Sequence, residues 1–360
     1  MSPIKVGFVG LSKSGWAATI LAPTLAKNDK YSLVAVSTTS QESAEASAAK
    51  QKETSGHTVK AYSGDTSHIA NDPDVDFVAV AVKSHLHREA LMPAIEAGKD
   101  FFIEWPAGKN LKETKEFAEA AHAKGLRTMV GLQGRHGAVK EIIESGTIGR
   151  VLSTSIIALA PRELRYWGPE VSEKNLSTAI AGEGTSMSEI AIGHQLDVFT
   201  YILGDFASVS ATTAIMYPTA NIIGDDGTTV KTIENTSADH VAFTSILKSG
   251  AVASLSWRGG YPSKGRQQFV WEIDGETGAI RMTDDQVASA FVHIRDPKLY
   301  LNGELVEVTG GGLATNIAAR WEEFAKGSKG DYATIDDAVR IRSVIEAIGL
   351  SSREGRRVTL

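Results

Sequence analysis

"VGFVGLSKSGWA", residues 6–17, joins a short apolar run to a glycine-bearing turn. Gly10, Ser12 and Gly15 fall in the G-x-G-x-x-G register, with serine in the middle place. Glycines at such a junction permit a tight strand-to-helix turn and let backbone N–H groups reach a pyrophosphate at the helix N-terminus. The motif is weak alone, since many strand–turn–helix junctions carry two glycines. Its context decides the reading: it follows the first strand of a domain in which strands and helices alternate.

That alternation continues through the first third of the chain. "KVGFV" (5–9), "YSLVAVS" (31–37), "VKAYSG" (59–64), "DFVAVAV" (76–82), "DFFIEW" (100–105) and "RTMVGL" (127–132) read as strands. Helical stretches stand between them, among them Gln41 to about Gln51 and "NLKETKEFAEAAHAKG" (110–125). Apolar strands alternating with helices predict a parallel sheet covered on both faces. Beyond residue 130 the runs lengthen and take period-two alternation, as in "GRVLSTSIIALA" and "QQFVWEIDGETGAIRMT", with Gly, Asn and Asp turns. The fold class is therefore α/β followed by α+β. The boundary is expected near residue 128, giving domains over 1–128 and 129–360. "ATNIAARWEEFAKG" and "TIDDAVRIRSVIEAIGLSSREG" read as C-terminal helices packing back toward the first domain, and the polar stretch 221–240 reads as a loop.

The chain has 360 residues, 42% hydrophobic and 22% charged, with a net charge of −6 and no cysteine. No basic excess exists to displace counterions from phosphates, so direct nucleic-acid binding is not expected. Disulfides, thiolate metal sites and cysteine nucleophiles are excluded. His85, His87, His194 and Asp197 assemble no three-ligand spacing on one element, so no metal is expected. The start runs directly into a strand and no apolar stretch reaches membrane-spanning length, which points to a cytoplasmic location without a membrane partner.

If the cofactor is NAD, the second strand should end in an acid that binds the ribose hydroxyls. Here Ser37 and Thr38 stand at that end, followed by Ser40, and Lys13 lies in the glycine loop. With no carboxylate to repel a 2′-phosphate, the reading favours NADP(H) over NAD(H).

The glycine loop, "DPDVDFVAVAVKSHLHREALMPAIEAGKDFFIEWP", "GLQGRHGAVKEIIESGTIGRVLS", "GHQLD" and "DDAVRIRSVIEAI" follow one another in an order that resembles the glucose–fructose oxidoreductase / inositol 2-dehydrogenase / MocA family. "GLSKSGWA", "FIEWP" and "RGGYPSKGRQQFVWEIDGETG" look most like its fungal branch, which contains the galactose-pathway repressor. The resemblance implies an N-terminal Rossmann domain and a C-terminal sheet domain flanked by helices. It also implies cofactor contacts from Gly10, Leu11, Ser12, Lys13, Ser14, Gly15, Trp16, Ser37, Thr38, Val82, Lys83, His87, Glu104, Trp105 and Gln133. Catalytic members carry E-K-P after the fifth strand and an Asp four residues before a His. In this chain Glu104 and Pro106 match, but Trp105 takes the lysine place and Ile190 the aspartate place. His194 remains, with Asp197 one turn further on.

Imidazole titrates near neutrality and can serve as the proton donor or acceptor. His194, Lys83 and Tyr166 are accordingly the candidate catalytic groups, with Trp105, Arg135, Trp167 and Asp197 as substrate contacts. Lys83 stands at the end of the fourth strand, where it can replace the lost lysine charge or be a surface lysine. The expected activity is an NAD(P)-dependent oxidoreductase acting on a carbonyl or secondary alcohol of a sugar-like or cyclic small molecule, with a homodimer as the expected assembly. The alternative is a non-catalytic dinucleotide-binding regulator, resembling the fungal repressor and working through a protein partner, in which case a nuclear location also fits.

Overall fold

The computed structural model describes residues 2–132, 134–135, 137–288, 297–308 and 312–360. Gln133 and His136 lie outside them. In chain order the first elements are β1 (Ile4–Val9), a π-helical turn (Ala17–Leu21) running into α1 (Ala22–Ala26), β2 (Tyr31–Thr38), α2 (Gln41–Ser55), β3 (Lys60–Ser63), α3 (Ser67–Ala70) and β4 (Phe77–Val80). They continue with α4 (His87–Glu96), β5 (Asp100–Ile103), α5 (Leu111–Ala123), β6 (Thr128–Val130), α6 (Gly137–Glu144), β7 (Val151–Ala160), β8 (Glu170–Ser172) and α7 (Gly193–Leu203). Then come β9 (Phe206–Ala214), β10 (Thr219–Ile223), β11 (Thr229–Glu234), β12 (His240–Leu247), β13 (Val252–Gly259), β14 (Phe269–Gly275) and β15 (Ala279–Asp284). The last are β16 (Lys298–Leu301), β17 (Glu304–Val306), α8 (Leu313–Ala325), α9 (Ile335–Glu354) and β18 (Val358–Thr359).

Two compact units result, residues 1–133 with 314–339, and residues 134–313 with 340–360. In the first, six parallel strands take the order β3-β2-β1-β4-β5-β6. Phe8, Phe77 and Phe101 are fully buried, as expected of strands covered on both faces. The helix α8 belongs to this unit. Its Phe324 ring lies 4.8 Å from Phe77 and its Trp321 ring 5.1 Å from Phe102. The Trp321 carbonyl accepts the Tyr31 hydroxyl at 2.7 Å.

The second unit is built on a nine-stranded sheet, β17-β16-β15-β14-β7-β13-β12-β9-β18, in which only the β7–β13 pair is parallel among the described residues. Strict alternation of buried and exposed side chains along β12 and β13 marks one packed and one open face. Phe199 of α7 stacks on Phe206 at 4.8 Å, and Phe199 and Trp271 rings lie 6.0 Å apart, so α7 covers the packed face. The stretch 221–240, expected as a loop, contains most of a hairpin instead: β10 pairs antiparallel with β11 and parallel with β8. Asp226 and Gly227 (φ +82°) make its turn. Nearly every β11 side chain faces solvent, so the apolar alternation that marks a strand is missing there.

Candidate active site

Where the strand order reverses, between β1 and β4, ligands of open α/β sheets bind at the carboxyl ends. Gly10 leaves β1 here at φ +86°, and a Cβ on it would lie 2.4 Å from the Ala81 carbonyl oxygen and 2.8 Å from Val82 Cγ1. Its N–H donates to the Ser37 carbonyl at 2.9 Å, which ties the turn to β2. Leu11 is buried, and its carbonyl accepts the Ser47 hydroxyl of α2 at 2.6 Å. The Lys13 carbonyl accepts from Lys50 at 3.2 Å, and the Ser12 hydroxyl donates to the Ser14 carbonyl at 2.7 Å. Gly15, at φ +94°, has nothing within 4 Å of the place its Cβ would take.

The loop borders a cavity of about 580 Å³. Of the residues expected at a cofactor, Gly10, Ser12, Ser37, Thr38 and Val82 line it, whereas Leu11, Lys13, Ser14, Gly15, Trp16, Lys83, His87, Glu104 and Trp105 do not. Thr39, Thr66 and the carboxylates Asp65 and Glu89 also line it, with no lysine or arginine among the described residues. Asp65 was not foreseen: it follows β3, and only the β2–β3 pairing (Thr38 opposite Ser63) brings it beside the end of β2. The backbone N–H of Ser67 donates to its carboxylate at 2.8 Å and holds its pKa below the usual value.

Lys83 is exposed just past β4. His87 is buried; its Nδ1 accepts from the Gly108 N–H at 3.1 Å, so its Nε2–H donates to the Val82 carbonyl at 3.0 Å. The histidine thus pins the loop after β4 to the loop after β5. At the end of β5, Glu104 accepts the Trp16 indole N–H at 2.7 Å and its neighbour's backbone N–H at 3.2 Å. Burial outweighs both bonds and pushes its carboxyl up to about 7. Trp105 is 7% exposed.

In the second unit His194 sits in the first turn of α7, 7% exposed, and burial lowers its pKa to about 3. At neutral pH it is a neutral imidazole. Asp197, one turn on, forms a buried ion pair with Arg135 at 2.9 Å, reinforced by the guanidinium Nε at 3.2 Å. Arg135 also stacks on Tyr201, 4.9 Å from the ring centroid. The two expected substrate contacts therefore neutralise each other. Ile190 precedes α7 in a π-helical turn (Ser188–Ile192), and Glu189 pairs with Arg342 at 2.7 Å. Tyr166 and Trp167 pack ring to ring at 5.3 Å, and burial raises the Tyr166 phenol. Gln195 is buried beside His194, and its amide has no hydrogen-bond partner among the described residues.

Residues 4–132 match the model of the oxidoreductase family with an NAD-binding Rossmann fold, GFO_IDH_MocA, and residues 137–284 match the Gal80p C-terminal domain model. The first part of the chain is thus similar to the GFO/IDH/MocA oxidoreductases and the second to the Gal80p C-terminal domain. Dehydrogenase aclE of Aspergillus oryzae is 29% identical over 370 residues, covering 98% of this chain and 97% of its own. The galactose/lactose metabolism regulatory protein GAL80 of Saccharomyces cerevisiae is 26% identical over 321 residues, 84% of this chain and 71% of its own. A solved super-repressor mutant of Gal80p from Saccharomyces cerevisiae shares the fold with a TM-score of 0.88 at 23% identity, over 99% of this chain and 98% of its own. Levoglucosan dehydrogenase in complex with NADH and L-sorbose shares it with a TM-score of 0.78 at 21% identity, over 99% and 98%. The cradle fits the nicotinamide dinucleotide that the Rossmann match over residues 4–132 implies: Gly10 leaves no room for a side chain, and the cavity opens beside it.

Proposed function

We propose that the protein is a nicotinamide-dinucleotide-dependent oxidoreductase that interconverts a secondary alcohol and a carbonyl on a sugar-like or cyclic small molecule. The observation that carries this is the cavity at the reversal of strand order, bordered by a glycine whose Cβ would strike the β4 exit. Gly10, Ser12, Ser37, Thr38 and Val82 would hold the dinucleotide, which supplies hydride exchange when bound. The dehydrogenase relative along nearly the whole chain supports the same reading.

The absent acid at the end of β2 led to an expectation of NADP(H). The cavity lining weighs the other way, because Asp65 supplies a carboxylate from the neighbouring strand end and no lysine or arginine lines the cavity among the described residues. We therefore favour NAD(H), with Asp65 in the role of the missing acid.

We assign to His194 the exchange of a proton with the substrate oxygen. Forming its imidazolium at pH 7 costs about 5 kcal/mol from a pKa of about 3. A developing alkoxide at a hydrogen-bond distance of about 3 Å returns about 5 kcal/mol at an effective dielectric of about 20. The imidazole thus takes up or releases the proton only as charge develops on the substrate. Lys83, exposed, and Tyr166, with its raised phenol, are the secondary candidates.

A second reading is a dinucleotide-binding regulator without turnover. Trp105 and Ile190, apolar where catalytic relatives carry Lys and Asp, favour it, as does the GAL80 relative. Monitoring NADH and NADPH with a panel of keto-sugars and cyclic ketones separates the two. The enzyme reading expects turnover that His194→Ala lowers by about 10²–10⁴-fold. Cofactor binding with no turnover on any substrate would establish the regulator. A homodimer through the open face of the large sheet, where Ile157 and Val252 are exposed, accompanies either reading; a monomer in sedimentation equilibrium would remove it.

A further inference from the structure

The segment "RGGYPSKGRQQ", residues 258–268, plays no part in the proposed chemistry, yet it gathers charge in an unusual way. Arg258 ends β13 directly opposite His240 on β12. Tyr261 follows, and its ring lies 4.9 Å from the Arg266 guanidinium and 6.0 Å from that of Arg258. Arg162 reaches in from the end of β7, donating its Nε–H to the Gly260 carbonyl at 3.1 Å. Lys264 is exposed between them. Two cations of this loop, Lys264 and Arg266, thus stand near Arg258 of β13 and Arg162 from the end of β7, in a chain of net charge −6.

None of the four meets a carboxylate within ion-pair distance among the described residues. Several arginines elsewhere do: Arg88, Arg127, Arg135, Arg150, Arg342 and Arg356 each lie against Asp or Glu. The acid in the cluster, Glu163, is occupied by the backbone N–H and hydroxyl of Ser263, both at 3.0 Å. Arg258 Nε is buried without an acceptor among the described residues, a costly condition for a charged donor unless a ligand completes it.

The cluster is also rigidly oriented. Buried Asp239 accepts the Met216 and Tyr217 N–H groups at 2.9 Å and holds His240 Nδ1 at 2.7 Å. With Nδ1–H given to the carboxylate, His240 Nε2 accepts the Tyr261 hydroxyl at 3.2 Å. Close glycine packing fixes the loop against the segment that carries Tyr166 and Trp167: a Cβ on Gly259 would lie 2.7 Å from the Trp167 carbonyl.

We propose that Arg162, Arg258 and Arg266, gathered near Tyr261, form a binding site for an oxyanion, namely the phosphate monoester or carboxylate group of a small molecule, with Lys264 exposed on the same loop. Planar guanidiniums match both groups with paired N–H donors. The site stands whether or not the chain turns over a substrate.

The test is calorimetric titration of the full chain with inorganic phosphate and with citrate, ionic strength held constant with sodium chloride. Wild type is expected to bind at least one of them, and Arg258→Met/Arg266→Met to bind about a hundredfold more weakly, tenfold for each guanidinium. Arg266→Gln, at an exposed position, should lose about tenfold with an unchanged melting curve. Arg150→Met, whose guanidinium already faces Glu276, should bind as wild type does. Preference for phosphate or for citrate identifies the donor group, and either one supports the site. Equal affinity in wild type and the double variant, or equal loss in Arg150→Met, overturns it.

Discussion

Alanine placed at Gly10 and, separately, at Gly15 makes a matched pair in which one contact is isolated. Both glycines hold a left-handed backbone, φ +86° and φ +94°. Alanine therefore meets the same conformational strain at each, about 1–2 kcal/mol. At Gly15 nothing lies within 4 Å of the new Cβ, so that strain is the whole cost. At Gly10 the Cβ would sit 2.4 Å from the Ala81 carbonyl oxygen, an overlap that no rotamer relieves because the obstacle is backbone. Ala81 cannot simply retreat, since its N–H is bonded to the Val9 carbonyl at 3.0 Å. Overpacking of this kind costs about 1–3 kcal/mol, giving about 2–5 kcal/mol at Gly10 against about 1–2 at Gly15. Urea unfolding with a common m-value measures the difference directly. Displacing Val82 should also weaken dinucleotide binding in Gly10→Ala. If the two variants have the same midpoint, the close approach of β1 to the β4 exit is not the constraint deduced from the structure.

Three further outcomes are expected. Glu104, raised from 4.5 to about 7 by burial, keeps in the folded chain a proton that the unfolded chain releases. Its contribution is present below about pH 4.5 and fades toward pH 7, by at most about 3 kcal/mol. Glu104→Gln should therefore lose less stability between pH 5 and pH 8 than wild type, and parallel urea midpoints would contradict this. Asp65→Asn should shift the NADPH:NADH affinity ratio toward NADPH. One unit of repulsion at about 6 Å is worth about 0.7 kcal/mol in water and about 3 at a dielectric of about 20, or roughly threefold to a hundredfold. An unchanged ratio in fluorescence titrations would clear Asp65 of that role. Asp197→Asn should cost about 3–5 kcal/mol, because it leaves the Arg135 charge buried against an amide. The apolar double variant Arg135→Met/Asp197→Leu should recover part of that loss, and a double variant less stable than the single would refute the assignment.

The doubly covered sheet was legible from sequence because its central strands, such as β1, β4 and β5, are compact apolar runs, and the glycine register placed the turn. Strand β11 was hidden because its side chains face solvent, so pairing with β10 makes it a strand without any apolar pattern. Asp65 escaped notice for a different reason. The rule for the ribose acid looks along β2, whereas the carboxylate arrives from β3, and adjacency across a sheet depends on register rather than spacing. His194 could be located by its motif, but its neutrality could not, since that follows from the desolvation a folded core imposes. Likewise Arg135 and Asp197 look like two independent polar groups until the fold brings them, 62 positions apart in sequence, into an ion pair.

The place of α8 bears on how the molecule is made. Trp321 and Phe324 cover Phe102 and Phe77 in the first unit, although residues 134–313 are synthesised between them and the rest of that unit. At about 5–20 residues per second, the nascent sheet waits roughly 10–40 s for its lid. During that interval an aromatic face stands open on the ribosome, a natural target for chaperones. A stop codon just after residue 313 would therefore harm the N-terminal half of the protein as surely as it removes the C-terminal tail.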